Sequence, residues 1–131
     1  MELFIAEKPS VGKAIAAVVG ATEQKDGYMQ GRGMIVSWCI GHLVELALPE
    51  NYKDEYVRWR YKDLPIIPDK WKYNVSKETE KQFNILCSLM NDERVTALVC
   101  ATDAGREGEL IFRLVYHQAK CRKPFERLWI S

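Results

Sequence analysis

The sequence lacks the features that would assign it to a membrane, zinc or highly charged class. Its four cysteines include no Cys-x-x-Cys pair, which argues against a zinc site and suits a reducing cytosol. No apolar run approaches the roughly 20 residues that a membrane-spanning helix needs. The formal net charge is only +1, so overall charge gives no indication of nucleic-acid binding. A role on DNA would therefore need a local basic surface.

Two common phosphate-binding motifs are also missing. Residues 7–14 end in a Gly-Lys-Ala sequence, but they lack both the first glycine and the final serine or threonine of the Walker pattern. No Gly-x-Gly-x-x-Gly follows the first predicted strand, so a dinucleotide site is poorly supported. The two histidines, His42 and His117, are isolated in the sequence. His42 is the better candidate for a role, although structural use is favoured.

The pattern of apolar residues predicts one α/β domain over residues 1–131. Predicted strands alternate with helices, which favours a mostly parallel central sheet with helices on both faces. We predict strands at 2–6, 27–32, 34–40, 71–75, 95–101 and 127–130, and helices at 11–19, 76–90 and 106–119. Residues 49–75 interrupt this alternation, because the prolines at 65 and 68 forbid a regular helix there. We expect an irregular insertion with one short helix.

An acid-rich junction follows the strand predicted at 95–101. Asp103, Glu107 and Glu109 lie within seven residues and flank Arg106. Carboxylates can hold a hard cation, and arginine can hold a phosphate. An acid in such a position can also be a helix cap or simply complement the helix dipole. For a single acid of this kind, the cap is the favoured interpretation.

A second strand-to-acid junction lies near the start of the chain, at Glu7 and Lys8. Ligands of open parallel sheets bind at the carboxyl ends of the strands. If the two strands are neighbours, Glu7 and Asp103 converge, and Glu107 joins them from the first turn of a helix. Three carboxylates predict a magnesium site, and Lys8 and Arg106 could hold a phosphate beside it. The combination favours half of a phosphoryl-transfer site.

Four segments together resemble the Toprim domain of type IA DNA topoisomerases, in particular the bacterial topoisomerase III branch. They are residues 3–10, 38–43, 64–68 and 102–111, and the likeness covers essentially the whole chain. The resemblance implies a Rossmann-like Toprim fold and magnesium as the cofactor. It also implies single-stranded DNA as the partner. Such an enzyme would act on DNA at the nucleoid, in the bacterial cytoplasm. We expect it to be a monomer and to have no membrane partner.

The same resemblance implies roles for individual residues. Glu7 would act near the scissile phosphate as acid or base, or share the metal. Lys8 would bind that phosphate. Asp103 and Glu107 would bind magnesium, and Arg106 would steady the phosphate or the carboxylates.

One departure from the family pattern affects the metal. The acidic motif of the family is usually Asp-x-Asp-x-Glu, whereas this chain has Gly105 in place of the middle acid. Magnesium can replace a lost oxygen ligand with water. We therefore expect weaker metal binding, and one ion rather than two.

The resemblance also implies that catalysis is shared with residues outside this chain. The family nucleophile is a tyrosine on a different domain, and no tyrosine here lies in a similar context. We expect a fragment of a longer enzyme that is inactive alone. The strand-like ending at 125–131 favours the same interpretation, with a natural edge strand as the alternative. The complete enzyme would cleave, pass and religate single strands without ATP, which makes it an isomerase.

Two other functions remain possible from the sequence. The first is a self-contained Toprim nuclease or primase-like enzyme, which the missing middle acid disfavours. The second is a non-enzymatic α/β binding module whose acids are helix caps. The aromatic side chains of the insertion could stack on DNA bases, but packing is the favoured explanation. They are Tyr52, Tyr56, Trp59, Tyr61, Trp71 and Tyr73.

Overall fold

The computed structural model describes residues 1–58, 60–68 and 70–129. Its strands are β1 (Glu2–Ala6), β2 (Glu23–Lys25), β3 (Tyr28–Gly31), β4 (Met34–Trp38), β5 (Val44–Leu46), β6 (Tyr73–Val75), β7 (Ala97–Ala101) and β8 (Phe125–Arg127). Its α-helices are α1 (Pro9–Val19), α2 (Glu80–Met90) and α3 (Arg106–Gln118).

Six strands form the central sheet, in the order β2-β3-β4-β1-β7-β8. Strands β4, β1, β7 and β8 run parallel, whereas β2 and β3 form an antiparallel edge. The register pairs Ala6 with Trp38 on one side and with Ala101 on the other. Three neighbouring strands therefore end at the same level, and the predicted mostly parallel sheet is confirmed.

Helices cover both faces of this sheet, as the sequence predicts. Helices α2 and α3 pack on one face around a large apolar cluster that includes Leu3, Leu86 and the fully buried Phe112. Helix α1 packs on the other face, where Ala16 and Val36 form a smaller cluster. Burying a side chain the size of Phe112 stabilises the fold by about 1.5–3 kcal/mol.

Local signals explain where α1 begins and ends. Pro9 occupies the first turn, where its missing N–H costs nothing. Gly20 ends the helix in the left-handed region at φ +82°, and its N–H donates to the Ala16 carbonyl. The helix therefore begins directly after Glu7 and Lys8, which stay at the end of β1.

The insertion between β5 and β6 is more broken than predicted. Its described residues form three single-turn 3-10 helices, at Pro49–Asn51, Asp54–Val57 and Tyr61–Asp63, instead of one short helix. An antiparallel pair closes its base, with Leu46 opposite Tyr73. Strand β5 occupies a segment that the sequence does not predict as a strand.

Other boundaries also differ from the predictions. Strand β8 ends at Arg127, whereas we predicted a strand from 127 to 130; Ile130 and Ser131 lie outside the described residues. A 3-10 turn at Lys77–Thr79 precedes α2, and β2 was not predicted at all. No helix in the described part of the chain is long and apolar enough to span a bilayer.

Candidate metal and phosphate site

The two acidic junctions are adjacent in the structure. Because β1 and β7 are parallel neighbours with Ala6 opposite Ala101, the residues that follow them emerge side by side. The backbone N–H of Asp103 donates to Glu7 Oε1 at 3.3 Å, across 96 residues of sequence. This contact places two carboxylates at one edge of the sheet.

The surroundings of Glu7 raise its pKa above the ordinary value. Partial burial is the largest influence, because it removes water from the charged form. The carboxyl groups of Asp103 and Glu107 raise the pKa further, while the Asp103 N–H lowers it. Because these carboxylates repel one another when they are ionised, a bound cation would stabilise their charged forms.

Glu107 lies in the first turn of α3 and contacts a residue that the sequence left without a role. Its Oε1 is 3.1 Å from His42 Nε2, and the Glu107 side chain is 78% exposed. His42 follows β4 and is preceded by Gly41, which adopts a left-handed φ of +62°. Since β4 ends level with β1 and β7, its following loop reaches the same edge. The strand predicted at 34–40 was the signal that could have identified His42, because a third parallel strand sends the residues that follow it to the same edge.

Lys8 and Arg106 supply positive charge at this edge. Lys8 precedes α1 as its N-cap, and Arg106 is the first residue of α3. Both are exposed. Within the residues that the structure describes, neither side chain has a hydrogen-bond or ion-pair partner. Both charges are therefore available to an anion.

The capping hypothesis does not hold for Asp103. Helix α3 begins at Arg106, its N-cap is Gly105, and no side chain donates or accepts a capping bond there. Asp103 lies two residues earlier, beside Glu7. Its position is therefore explained by the strand junction and not by the helix end.

Glu109, the last acid of the motif, has a structural role. Arg113 Nε is 2.8 Å from Glu109 Oε1, and Arg127 Nε is 3.1 Å from Glu109 Oε2. These two guanidinium groups lower the pKa of Glu109. Glu109 is therefore held by arginines, and we exclude it from the candidate metal ligands.

Arg127 also fixes the turn that carries Asp103. Its guanidinium donates to the carbonyl oxygens of Thr102 and Asp103 and, at 3.2 Å, to Thr102 Oγ1. The buried Thr102 hydroxyl in turn donates to the Gly108 carbonyl at 2.8 Å. Sequence reasoning missed this role, because Arg127 reaches the turn only through the pairing of β8 with β7.

Two glycines of the acidic motif differ sharply in the space around them. A β-carbon at Gly108 would lie 2.1 Å from the Asp103 carbonyl oxygen, so no larger residue fits there. A β-carbon at Gly105 would meet nothing within 4 Å. Position 105, between Asp103 and Glu107, is therefore open to a side chain.

The chemistry of the carboxylates fits magnesium in part. Magnesium is often bound by one or two carboxylates together with water and a phosphate, and Glu7 with Asp103 provides such a pair. In the described part of the chain, no three histidine, cysteine, aspartate or glutamate side chains enclose a single point as a metal site. Glu107 is turned toward His42 instead. The three-carboxylate set therefore stays a prediction.

Comparison with known proteins identifies the family. The Toprim domain profile matches residues 2–131, so the chain belongs to the Toprim family. It is 50% identical over 129 residues to DNA topoisomerase 3 of Staphylococcus saprophyticus and also to that of Bacillus subtilis. It is 45% identical over 127 residues to DNA topoisomerase 3 of Shouchella clausii. These findings confirm the resemblance read from the motifs.

The chain spans less than a fifth of those relatives. The matches to the Staphylococcus and Bacillus proteins cover 98% of this chain and 18% of each relative. The match to the Shouchella protein covers 97% of this chain and 17% of that relative. The chain thus corresponds to the Toprim region of much longer proteins.

Proposed function

We propose that this chain is the metal-binding half of the active site of a type IA DNA topoisomerase of the bacterial topoisomerase III branch. The observation that carries the proposal is the contact between Glu7 and Asp103 at the ends of two adjacent parallel strands. The similarity to proteins named DNA topoisomerase 3 supports the reaction class.

The carboxylates of Glu7 and Asp103 would hold a magnesium ion, and Glu107 would join them. When bound, magnesium neutralises charge on the phosphate that reacts. Glu7 is suited to move a proton near that phosphate, because its raised pKa brings it closer to neutral pH. Lys8 and Arg106, which have no carboxylate partner among the described residues, would hold the phosphate oxygens.

The complete reaction would need a tyrosine from another domain. Attack of its hydroxyl on a DNA phosphate forms a phosphotyrosine bond and releases the deoxyribose hydroxyl of the broken strand. One phosphodiester replaces another, so the reaction is reversible and needs no ATP. The substrate would be single-stranded DNA, and strand passage would precede religation. We propose that the enzyme acts as a monomer on DNA in the bacterial cytoplasm.

A magnesium titration monitored by amide NMR tests the proposal. We expect shifts to cluster at Glu7 and at 103–107, and to disappear in Asp103→Asn. Glu2→Gln is the matched control, because Glu2 is an exposed acid at the opposite end of the same strand. Shifts that scatter, or that persist in Asp103→Asn, would contradict the proposed site.

A DNA cleavage assay separates the proposal from the self-contained nuclease. We expect the chain alone to leave single-stranded and supercoiled DNA intact in magnesium. Metal-dependent nicking that Asp103→Asn abolishes would instead identify a nuclease. We expect no nicking for two reasons: the proposed nucleophile is a tyrosine outside this chain, and Gly105 leaves the acid set incomplete for cleavage by metal alone.

A further inference from the structure

The insertion contains a second candidate site, apart from the carboxylates. A cavity of about 460 Å³ lies between the segment around Tyr52 and the segment 66–72. Three lysines line it, Lys53, Lys70 and Lys72, and Ile66 and Ile67 contribute an apolar wall. Its volume falls within the roughly 300–1,000 Å³ of typical small-molecule sites.

The charge around this cavity is local. Its described lining contains three lysines and no carboxylate, although Lys53 already makes an interaction of its own. Residues 49–75 as a whole carry six basic and five acidic residues, so the segment is nearly neutral. Lys70 makes no hydrogen bond or ion pair with any described residue. The lysines thus gather at the cavity although the whole segment is nearly neutral, and this local positive charge favours an anionic ligand.

One of the three lysines is held in place by the cavity itself. Lys72 Nζ lies 5.3 Å from the centre of the Tyr52 ring and donates to the Asn51 carbonyl at 3.3 Å. The Lys72 backbone N–H donates to the Tyr52 hydroxyl at 2.6 Å. Tyr52 therefore has the packing role favoured from the sequence, and it orders one wall of the cavity.

Apolar surface lies next to these charges. Ile67 is 74% exposed, and Trp71, adjacent to Lys70 and Lys72 in sequence, is 54% exposed. Tyr61, in the same insertion, is 94% exposed, so the packing explanation is wrong for that residue. Exposed apolar side chains beside amines match a ligand that has both an apolar face and a negative charge.

We propose that this cavity holds one nucleotide of the single-stranded DNA substrate, with Lys70 and Lys72 at the phosphate and Ile66 and Ile67 against the base. The identity of the nucleic acid rests on the proposed function. A single strand fits better than a duplex, because a duplex keeps its bases stacked and presents only phosphates and groove edges. The insertion would thus hold the strand at a distance from the reacting phosphate.

Fluorescence anisotropy with a 5′-labelled oligo(dT) 12-mer, measured in EDTA at several salt concentrations, tests the cavity without the metal. We expect Lys70→Gln to weaken binding several-fold and to reduce the salt slope by about 0.7, the value for one phosphate contact on a single strand. Lys13→Gln is the matched control, because Lys13 is an exposed lysine of α1. Equal affinity and slope in the two variants would overturn the proposal.

A second pair of variants tests the base contact. Ile67→Ala should weaken binding of oligo(dT) but should not change the affinity for an abasic 12-mer, which has no bases to contact. Val18→Ala, at an 87% exposed position of α1, should change neither affinity. No effect of Ile67→Ala on oligo(dT) would overturn the nucleotide assignment. Equally tight binding of poly-glutamate would also overturn it, because it would show a site for any polyanion.

The outcomes for the two sites are separable. If Asp103→Asn abolishes the magnesium shifts while Lys70→Gln matches Lys13→Gln, the proposed function stands and the nucleotide cavity fails. If magnesium shifts are absent while Lys70→Gln and Ile67→Ala weaken oligo(dT) binding, the cavity stands as a nucleic-acid site and the proposed metal site fails.

Discussion

The α-carbon of Gly108 packs so close to Asp103 that a β-carbon there would lie 2.1 Å from the Asp103 carbonyl oxygen. A glycine to alanine change inside a helix usually stabilises a protein by about 0.5–1 kcal/mol. We predict the opposite sign for Gly108→Ala, a loss of about 1–3 kcal/mol, because α3 must move away from the turn. Urea unfolding measures the change. Gly105→Ser, at an open N-cap position, should cause no such loss.

Gly105 gives a prediction about the metal. The site around it is open and its φ of −92° suits any residue, so Gly105→Asp should fold normally. We predict tighter magnesium binding, because the variant adds a carboxylate to the turn that carries Asp103 and so supplies another oxygen ligand. Gly105→Asn is the matched control, because asparagine has the same shape as aspartate and a similar capping ability but carries no charge. Calorimetric titration should show the gain only for aspartate, and an unchanged affinity in Gly105→Asp would refute the explanation.

The contact between His42 and Glu107 predicts a role in positioning. Groups that hydrogen-bond to a metal-binding carboxylate typically contribute 10–100-fold to affinity. We predict that His42→Ala weakens magnesium binding by about tenfold, because Glu107 loses its partner at 3.1 Å. Folding stability should change by less than about 1 kcal/mol, since the pair is exposed.

His42→Gln provides the rescue for that experiment. A glutamine amide can donate to the same Glu107 oxygen, so part of the affinity should return. Metal affinity that is identical in His42→Ala and the parent chain would show that Glu107 needs no positioning by His42.

Glu7 should destabilise the metal-free domain at neutral pH. Its pKa is higher in the folded state than the ordinary 4.5. Between those two values the folded state binds more protons than the unfolded state, so stability falls as pH rises. We predict that Glu7→Gln, unfolded with urea in EDTA, is more stable than the parent at pH 7, and that the gap closes below pH 4.5. Glu2→Gln is the control, and a gap that does not depend on pH would contradict the assignment.

Arg127 should contribute more to stability than Arg113, although both contact Glu109. The Arg127 side chain is only 16% exposed and also holds the Thr102 and Asp103 carbonyls. We predict that Arg127→Ala costs about 1–3 kcal/mol, because the buried Thr102 carbonyl loses its donor and Glu109 keeps only Arg113 as a partner. Arg127→Lys should restore only part of this, since one ammonium cannot replace the planar fork. Thermal unfolding should show a smaller loss for Arg113→Ala.

The central contact could be predicted because it depends on one topological rule. The apolar runs at β1 and β7 and the end signals of α1 are local in sequence. Given two parallel neighbours, the side chains of Glu7 and Asp103 must emerge at the same edge. The spacing of these acids from their strands is therefore enough to predict that the two junctions meet.

The remaining features depend on pairings that no local pattern encodes. His42 meets Glu107 across 65 residues only because β4 lies beside β1. Strand β2 is exposed at all three positions, so it has no alternation of apolar residues and becomes a strand by pairing with β3. The role of Glu109 was hidden for the same reason, because its partner Arg127 comes from the neighbouring strand β8.

The position of β1 between β4 and β7 has a consequence for how the site forms during synthesis. A ribosome adds Glu7 96 residues before Asp103, and the Arg127 that fixes the Asp103 turn comes later still. Until β7 emerges, one edge of β1 has no hydrogen-bonding neighbour in the sheet. The nascent chain thus carries an open strand edge until the residues of β7 are made, and the pairing of β7 with β1 both closes that edge and brings Asp103 beside Glu7.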